Sequence, residues 1–358
     1  MAITVVVACG GNEPEVTPSI STADIEPDVN MTPVPIAVST STAIPKAASP
    51  PTVTLIPLRA SSIGISVDEK PFSGPQSSSA VALTPDGRLI IAVNPDSDSI
   101  SVVDSETFSV LAEVSVGDDP RTLAITPDGS HALVANHGDR SVSAVELSEF
   151  EEIALWTVGA KPYGVVTDGV NAYVTEFGTG KLRVIELSSG KTLGEIDVGP
   201  FPSGAALDLG GERLLVTHLF DGDITIVDTG TLTSTDTIST GVDNNVSQFI
   251  SISPDGNRAY VPQTRSNASS RALSFDSTVF PVVNVVNLGE LALVSRDRIT
   301  LDTADEPVSL PFAVAITPDS DRAFVLNAGS DAVSVIDLET NRGVAHLTVG
   351  SNPRGIAM

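Results

Sequence analysis

The chain has 358 residues, with 45 acidic against 19 basic side chains and a formal charge of −26. That balance excludes a nucleic-acid backbone or an anionic lipid surface as the partner, since no basic stripe reverses it locally. A single cysteine excludes a disulfide framework, and no stretch reaches the ~18 apolar residues of a spanning helix.

The chain opens on Ala2 to Ala8, apolar, followed by Cys9, Gly10 and Gly11. Val6-Val7-Ala8-Cys9 fits the bacterial lipobox, in which a small residue precedes a cysteine that is lipidated and becomes the mature first residue. Residues 1–9 are therefore expected to be the remnant of a signal peptide and Cys9 a lipidation site. The competing reading is a buried or adventitious cysteine. Residues 10–60 are rich in Pro, Ser and Thr and almost free of aromatics, so they bury too little apolar area to offset their ordering entropy and are expected to be a disordered tether. The expected location is extracytoplasmic, either held in the cell envelope by the lipid alone or secreted.

From residue 61 to 358 one pattern repeats. Thr-Pro-Asp-Gly at Thr84 to Gly87 returns at Thr126 to Gly129, decays at Thr167 to Gly169 and at Leu209 to Gly211, and returns at Ser253 to Gly256 and Thr317 to Ser320. The interval of roughly 40 to 45 residues is that of one four-stranded propeller blade. Pro fixes φ and Gly tolerates the exit conformation, so the tetrapeptide reads as a tight turn between a first and a second strand. In the second unit the strands are expected at Arg121 to Ile125, Ala132 to Asn136, Ser141 to Glu146 and Ile153 to Val158, with the first strand the most apolar and so the most buried. Units close on Val-Gly, at Gly117, Gly159, Gly199 and Gly350. The predicted fold is all-β, a propeller of four-stranded antiparallel blades: six complete blades plus the first strand of a seventh, with an insertion in the fifth repeat at 264–308. That last strand is either completed by residues near Thr52 to Pro57 or belongs to a chain that stops short. The lack of another candidate for the remaining strands favours the second reading.

The motif Pro-x-x-x-Ala-Ile-Thr-Pro-Asp-Gly, then an apolar-Val-x-Asn segment, then Val-Ser-Val-Ile-Asp (333 to 337) and Val-Gly resembles the YVTN family of propeller repeats, over roughly residues 70 to 358. The resemblance implies an envelope or surface-layer-like protein. It carries no chemistry, because the matching positions are turn and core residues.

In an antiparallel blade the end of the second strand and the entry to the next first strand share one face. The second-strand exits are Asn94, Asn136, Glu176, His218, Gln263 and Asn327, and the first-strand entries include Arg121, Tyr163, Gln248, Phe312 and Arg354. Loop variation on one face of a scaffold is where binding resides. The candidate site at the channel mouth is accordingly Arg121, His137, Tyr163, Glu176, His218, Gln248, Gln263, Arg265, Phe312, Asn327 and Arg354. His137, Glu176 and His218 fall on neighbouring blades and have the chemistry of metal ligands or of an acid and a base. Hydrogen bonding to adjacent loops is the plainer role. Asp96-Ser97-Asp98 and Asp221-Gly222-Asp223 offer oxygen ligands for Ca²⁺, but Asp and Gly are ordinary turn residues. No motif predicts a cofactor, a metal or a catalytic group.

The expected function is a non-enzymatic binding or scaffold module, taking a protein, a glycan or a small anionic ligand at the propeller face. Two alternatives stay open. One is the propeller half of a c-type cytochrome electron-transfer protein, an arrangement known among proteins with similar propellers. The other is a lactonase-like hydrolase using Arg121, Glu176 and His218.

Overall fold

The structure, a computed structural model, describes residues 5–8, 63–67, 74–266, 279–303 and 306–358. Cys9 and all of 10–60 lie outside these residues, as do 267–278 and 304–305 within the expected insertion.

Six antiparallel blades follow one another along the chain. In the second blade the strands are Pro120–Ile125, His131–Asn136, Ser141–Glu146 and Glu151–Thr157. The third repeats this at Pro162–Thr167, Asn171–Glu176, Lys181–Glu186 and Lys191–Asp197. Burial grades outward, but more gradually than expected, since His131–Asn136 is as completely buried as the first strands while Thr233–Ile238, a fourth strand, is exposed up to Ile238. The turn motif is held by its own side chains. Thr84 Oγ1 donates to Asp86 Oδ1 at 2.6 Å, Gly87 N–H donates to Thr84 O at 2.8 Å, and Gly87 takes φ 73°, which a side chain would resist. Thr126, Asp128 and Gly129 repeat the arrangement.

The core lies between blades rather than within them. Leu133, Ala135 and Val142 of the second blade pack with Val165, Val174 and Ile185 of the third, and Val166, Tyr173 and Val184 of the third pack with Leu207, Leu214 and Val216 of the fourth. Each sheet is thus apolar on both faces, as stacked sheets require. The fifth blade is irregular. Part of the expected insertion continues its strands instead of leaving the sheet, so Arg258–Ser266 and Val279–Asn287 form a long hairpin.

Pro353–Ala357 occupies a seventh position, where Ile356 packs with Phe312 and Leu326 of the sixth blade and Ala357 with Val81 and Ile90 of the first. Its pairing partner is Val5–Ala8, antiparallel, with Val6 opposite Ile356. The expected partner near Thr52 to Pro57 lies outside the described residues. This pairing and signal cleavage ahead of Cys9 are incompatible in one mature chain, because cleavage removes the strand.

First strands line the axis of a propeller, and their inner edges carry unpaired N–H and C=O groups unless something meets them. Here the chain meets them itself. Gln76–Ser77 pairs with the first strand of the fourth blade, Ser77 opposite Ala206. Ser79 bridges Leu123 of the second blade. Between them Gln76 Nε2 donates to Ile125 O (2.7 Å) and Gln76 Oε1 accepts from Thr167 N–H (2.5 Å). Residues 76–79 therefore run through the channel and tie three blades together.

Candidate functional site

The ring of second-strand exits is structural. Each exit side chain clasps a residue on the third strand of its own blade, seven positions on in five blades: Asn94 Nδ2 to Ser101 Oγ (2.9 Å), Asn136 Nδ2 to Ser143 Oγ (2.8 Å), Glu176 Oε1 from Arg183 Nε (2.5 Å), His218 Nε2 with Thr225 Oγ1 (2.8 Å) and Asn327 Nδ2 to Ser334 Oγ (2.8 Å). In the fifth blade Asn284 Nδ2 donates to Gln263 Oε1 across the inserted hairpin. Glu176, Gln263 and Asn327 are fully buried and His218 nearly so. The carboxylate of Glu176 also accepts from Gly159 N–H and Thr179 Oγ1, both at 2.7 Å, and both ring nitrogens of His218 are engaged, Nδ1 with Pro200 O. Glu176 and His218 are thus engaged within their own blades, and no cluster of three metal-ligating side chains occurs among the described residues. Arg265 pairs with Asp243 at 2.5 Å at the exposed end of the long hairpin, away from the mouth cavity.

The first-strand entries converge. Arg121, Tyr163, Phe312 and Arg354 border one cavity of about 220 Å³ on the predicted face. Gln248 stands behind it, accepting from Tyr163 Oη at 2.7 Å. Burial pushes the Tyr163 phenol up to about 12, so it remains a neutral donor. Phe249 and Phe312, centroids 5.1 Å apart, form an apolar wall. Arg354 lays its guanidinium 4.7 Å over the Phe312 ring, and among the described residues no carboxylate pairs with it. Arg121 is held by Asp119 at 2.9 Å, and Asp96 sits exposed at the rim. His137 adjoins the site through Tyr163, its ring 6.0 Å away and its Nδ1 3.1 Å from Pro162 O. Burial, ahead of the Pro162 contact, holds its imidazole below the ordinary value, which favours the neutral ring.

Sequence reasoning passed over the residue before each entry proline. Asp119, Lys161, Phe201, Leu310 and Asn352 all take left-handed φ between 52° and 56°, a conformation costing roughly 1–2 kcal/mol for a residue with a side chain. Four of them return a carbonyl to the residue after the second-strand exit, as Asp119 O does to His137 N–H at 2.9 Å. Asp119 and Asn352 border the cavity. The recurring x-Pro step was visible in the sequence as their signal. Phe249, the neighbour of Gln248 in the sequence, also borders the cavity.

Comparison with known proteins agrees with this architecture. The family model "Lactonase, 7-bladed beta-propeller" matches residues 60–152, about a quarter of the chain. No curated protein matches the sequence. Among solved structures, hydrazine synthase of Kuenenia stuttgartiensis superposes with a TM-score of 0.70 at 20% identity, covering 84% of this chain and 92% of that one. A functionally unknown protein from Desulfotomaculum acetoxidans gives 0.64 at 15% identity, covering 78% and 88%. Dihydro-heme d1 dehydrogenase NirN gives 0.51 at 17%, covering 77% and 67%. At these identities the shared property is the fold, and the chain is a β-propeller protein.

Proposed function

We propose that this propeller is a binding module whose mouth cavity takes a small carboxylate-bearing molecule. The observation that carries the reading is Arg354, whose guanidinium stacks on Phe312 beside Arg121 and meets no carboxylate among the described residues, in a chain of charge −26. The planar fork of arginine matches a carboxylate bidentately while its face stays on the ring. Titration calorimetry of the full chain with monocarboxylates tests it. Binding is expected, weakened about tenfold or more by Arg354→Ala and only partly restored by Arg354→Lys. Absence of binding across the panel, or an Arg354→Ala variant that binds like the parent, overturns it.

The lactonase-model match favours a second reading, hydrolysis of a lactone at the same cavity, where the product would be a hydroxycarboxylate suited to Arg354. Glu176 and His218 do not serve it, since both are bound within their blades. The described carboxylates at the cavity are Asp96 and Asp119. Turnover of a simple lactone that Asp96→Asn abolishes would favour this reading over binding alone.

A further inference from the structure

The cavity is one end of a longer feature. From Arg354 a continuous series of ring contacts leads across the face: Phe312, Phe249 at 5.1 Å, Tyr163 at 6.3 Å, Phe177 at 6.2 Å, Phe201 at 5.3 Å and Phe220 at 4.9 Å. The cavity end is buried, with Phe249 and Phe312 each 4% exposed, whereas Phe201 and Phe220 are 44% and 60% exposed. Aromatics are 4% of the composition, yet three phenylalanines stand together on loops of this one face. Phe201 holds a left-handed backbone, φ 52°, at its corner. Neither Phe201 nor Phe220 belongs to an interblade core cluster, so packing of the blades does not account for them.

We propose that the ligand is amphiphilic, with a carboxylate head at Arg354 and an unbranched apolar tail running over Phe177 to the Phe201–Phe220 pair. This rests on the binding reading above and extends it. Charge fixes the direction, because the guanidinium lies at the buried end, whereas the exposed end presents the Phe201 and Phe220 rings beside the acidic Asp221. A tail laid along this track removes apolar surface from water on both partners, which is worth up to about fourfold in affinity per methylene and less where one side stays wet. An anionic bilayer is disfavoured as the occupant by the charge of the whole chain.

Titration of the full chain with decanoate, tetradecanoate and octadecanoate, each below its micellar concentration, tests the tail, since only the longest chains can span from Arg354 to the Phe201–Phe220 pair. Affinity is expected to rise with each methylene by up to about fourfold, and Phe220→Ala and Phe201→Ala are expected to bring octadecanoate close to tetradecanoate. Binding of all three acids with equal affinity, or an unchanged slope in both variants, overturns the tail subsite and leaves the carboxylate reading standing. Failure of all three to bind overturns both. Binding to zwitterionic vesicles that Phe220→Ala removes, without any rise along the acid series, makes the occupant a bilayer and also overturns this proposal.

Discussion

A methyl group has no room where the second blade hands over to the third. A Cβ built on Gly159 would lie 1.9 Å from Glu176 Oε2, in the space where the buried carboxylate meets Arg183 and the Gly159 N–H itself. Gly117 faces Asn136 in the same way, at 2.5 Å. The Val-Gly that ends these units is therefore needed by the exit side chain 17 to 19 residues further on. Gly159→Ala is expected to cost about 2–4 kcal/mol, as overpacking displaces one member of a buried ion pair. Urea unfolding reads the loss, with Gly74→Ala, where nothing lies within 4 Å, as the control. The glycine was legible in the sequence as punctuation. Its cause was not, because the partner becomes a neighbour only once the blade has formed.

At the scale of elements, what was legible was local. Thr84, Asp86 and Gly87 make their turn from contacts within six residues, so the repeat could be read without any tertiary knowledge. The axial segment shows the opposite case. Gln76-Ser77-Ser78-Ser79 has no strand signature, and its pairing is long-range: Ser78 Oγ accepts from Ala205 N–H across 127 positions. Topology put both rings on one face, and strand direction could not show that entry residues border one cavity while exit residues are clasped i to i+7 within their blades. Gln76→Ala is expected to cost about 1–3 kcal/mol, since it leaves Thr167 N–H and Ile125 O inside the channel without partners. Chemical denaturation, together with faster amide exchange at Thr167, checks this. An unchanged midpoint would show that water replaces the side chain.

Over the whole molecule, acidity and stability are linked through the turns. The Thr84 hydroxyl and then the Arg88 N–H hold Asp86 below the usual carboxylate range; the Thr107 N–H and hydroxyl hold Asp104 there, those of Thr231 hold Asp228, and those of Thr340 hold Asp337. Each has a folded value below its unfolded value of about 4. Each thus contributes stability that is present above about pH 4 and lost as the pH falls through the folded values. Glu152, raised by burial, and Asp118, raised by burial and then by its neighbours Asp98 and Asp139, act in the other sense. The urea midpoint is expected to be nearly level from pH 7 to 5 and to fall below about pH 4. A midpoint that climbs on acidification past pH 4 would show that relief of the −26 charge outweighs the turns.

The clasps also bear on how near-identical sheets avoid one another during assembly. In a repeat chain the hazard is that a second strand pairs with the third strand of another unit, since the backbone and the apolar pattern match almost as well. The side chains at the exits match in three blades and differ in the other three. Glu176 set against Ser143 would bury a carboxylate without its guanidinium, and Arg183 set beside Asn136 would lose its counter-charge. Glu with Arg, His with Thr and Gln with Asn thereby act as addresses for the third, fourth and fifth blades, where a wrong pairing is penalised by desolvation, whereas the first, second and sixth blades share the Asn–Ser clasp and are not told apart by it.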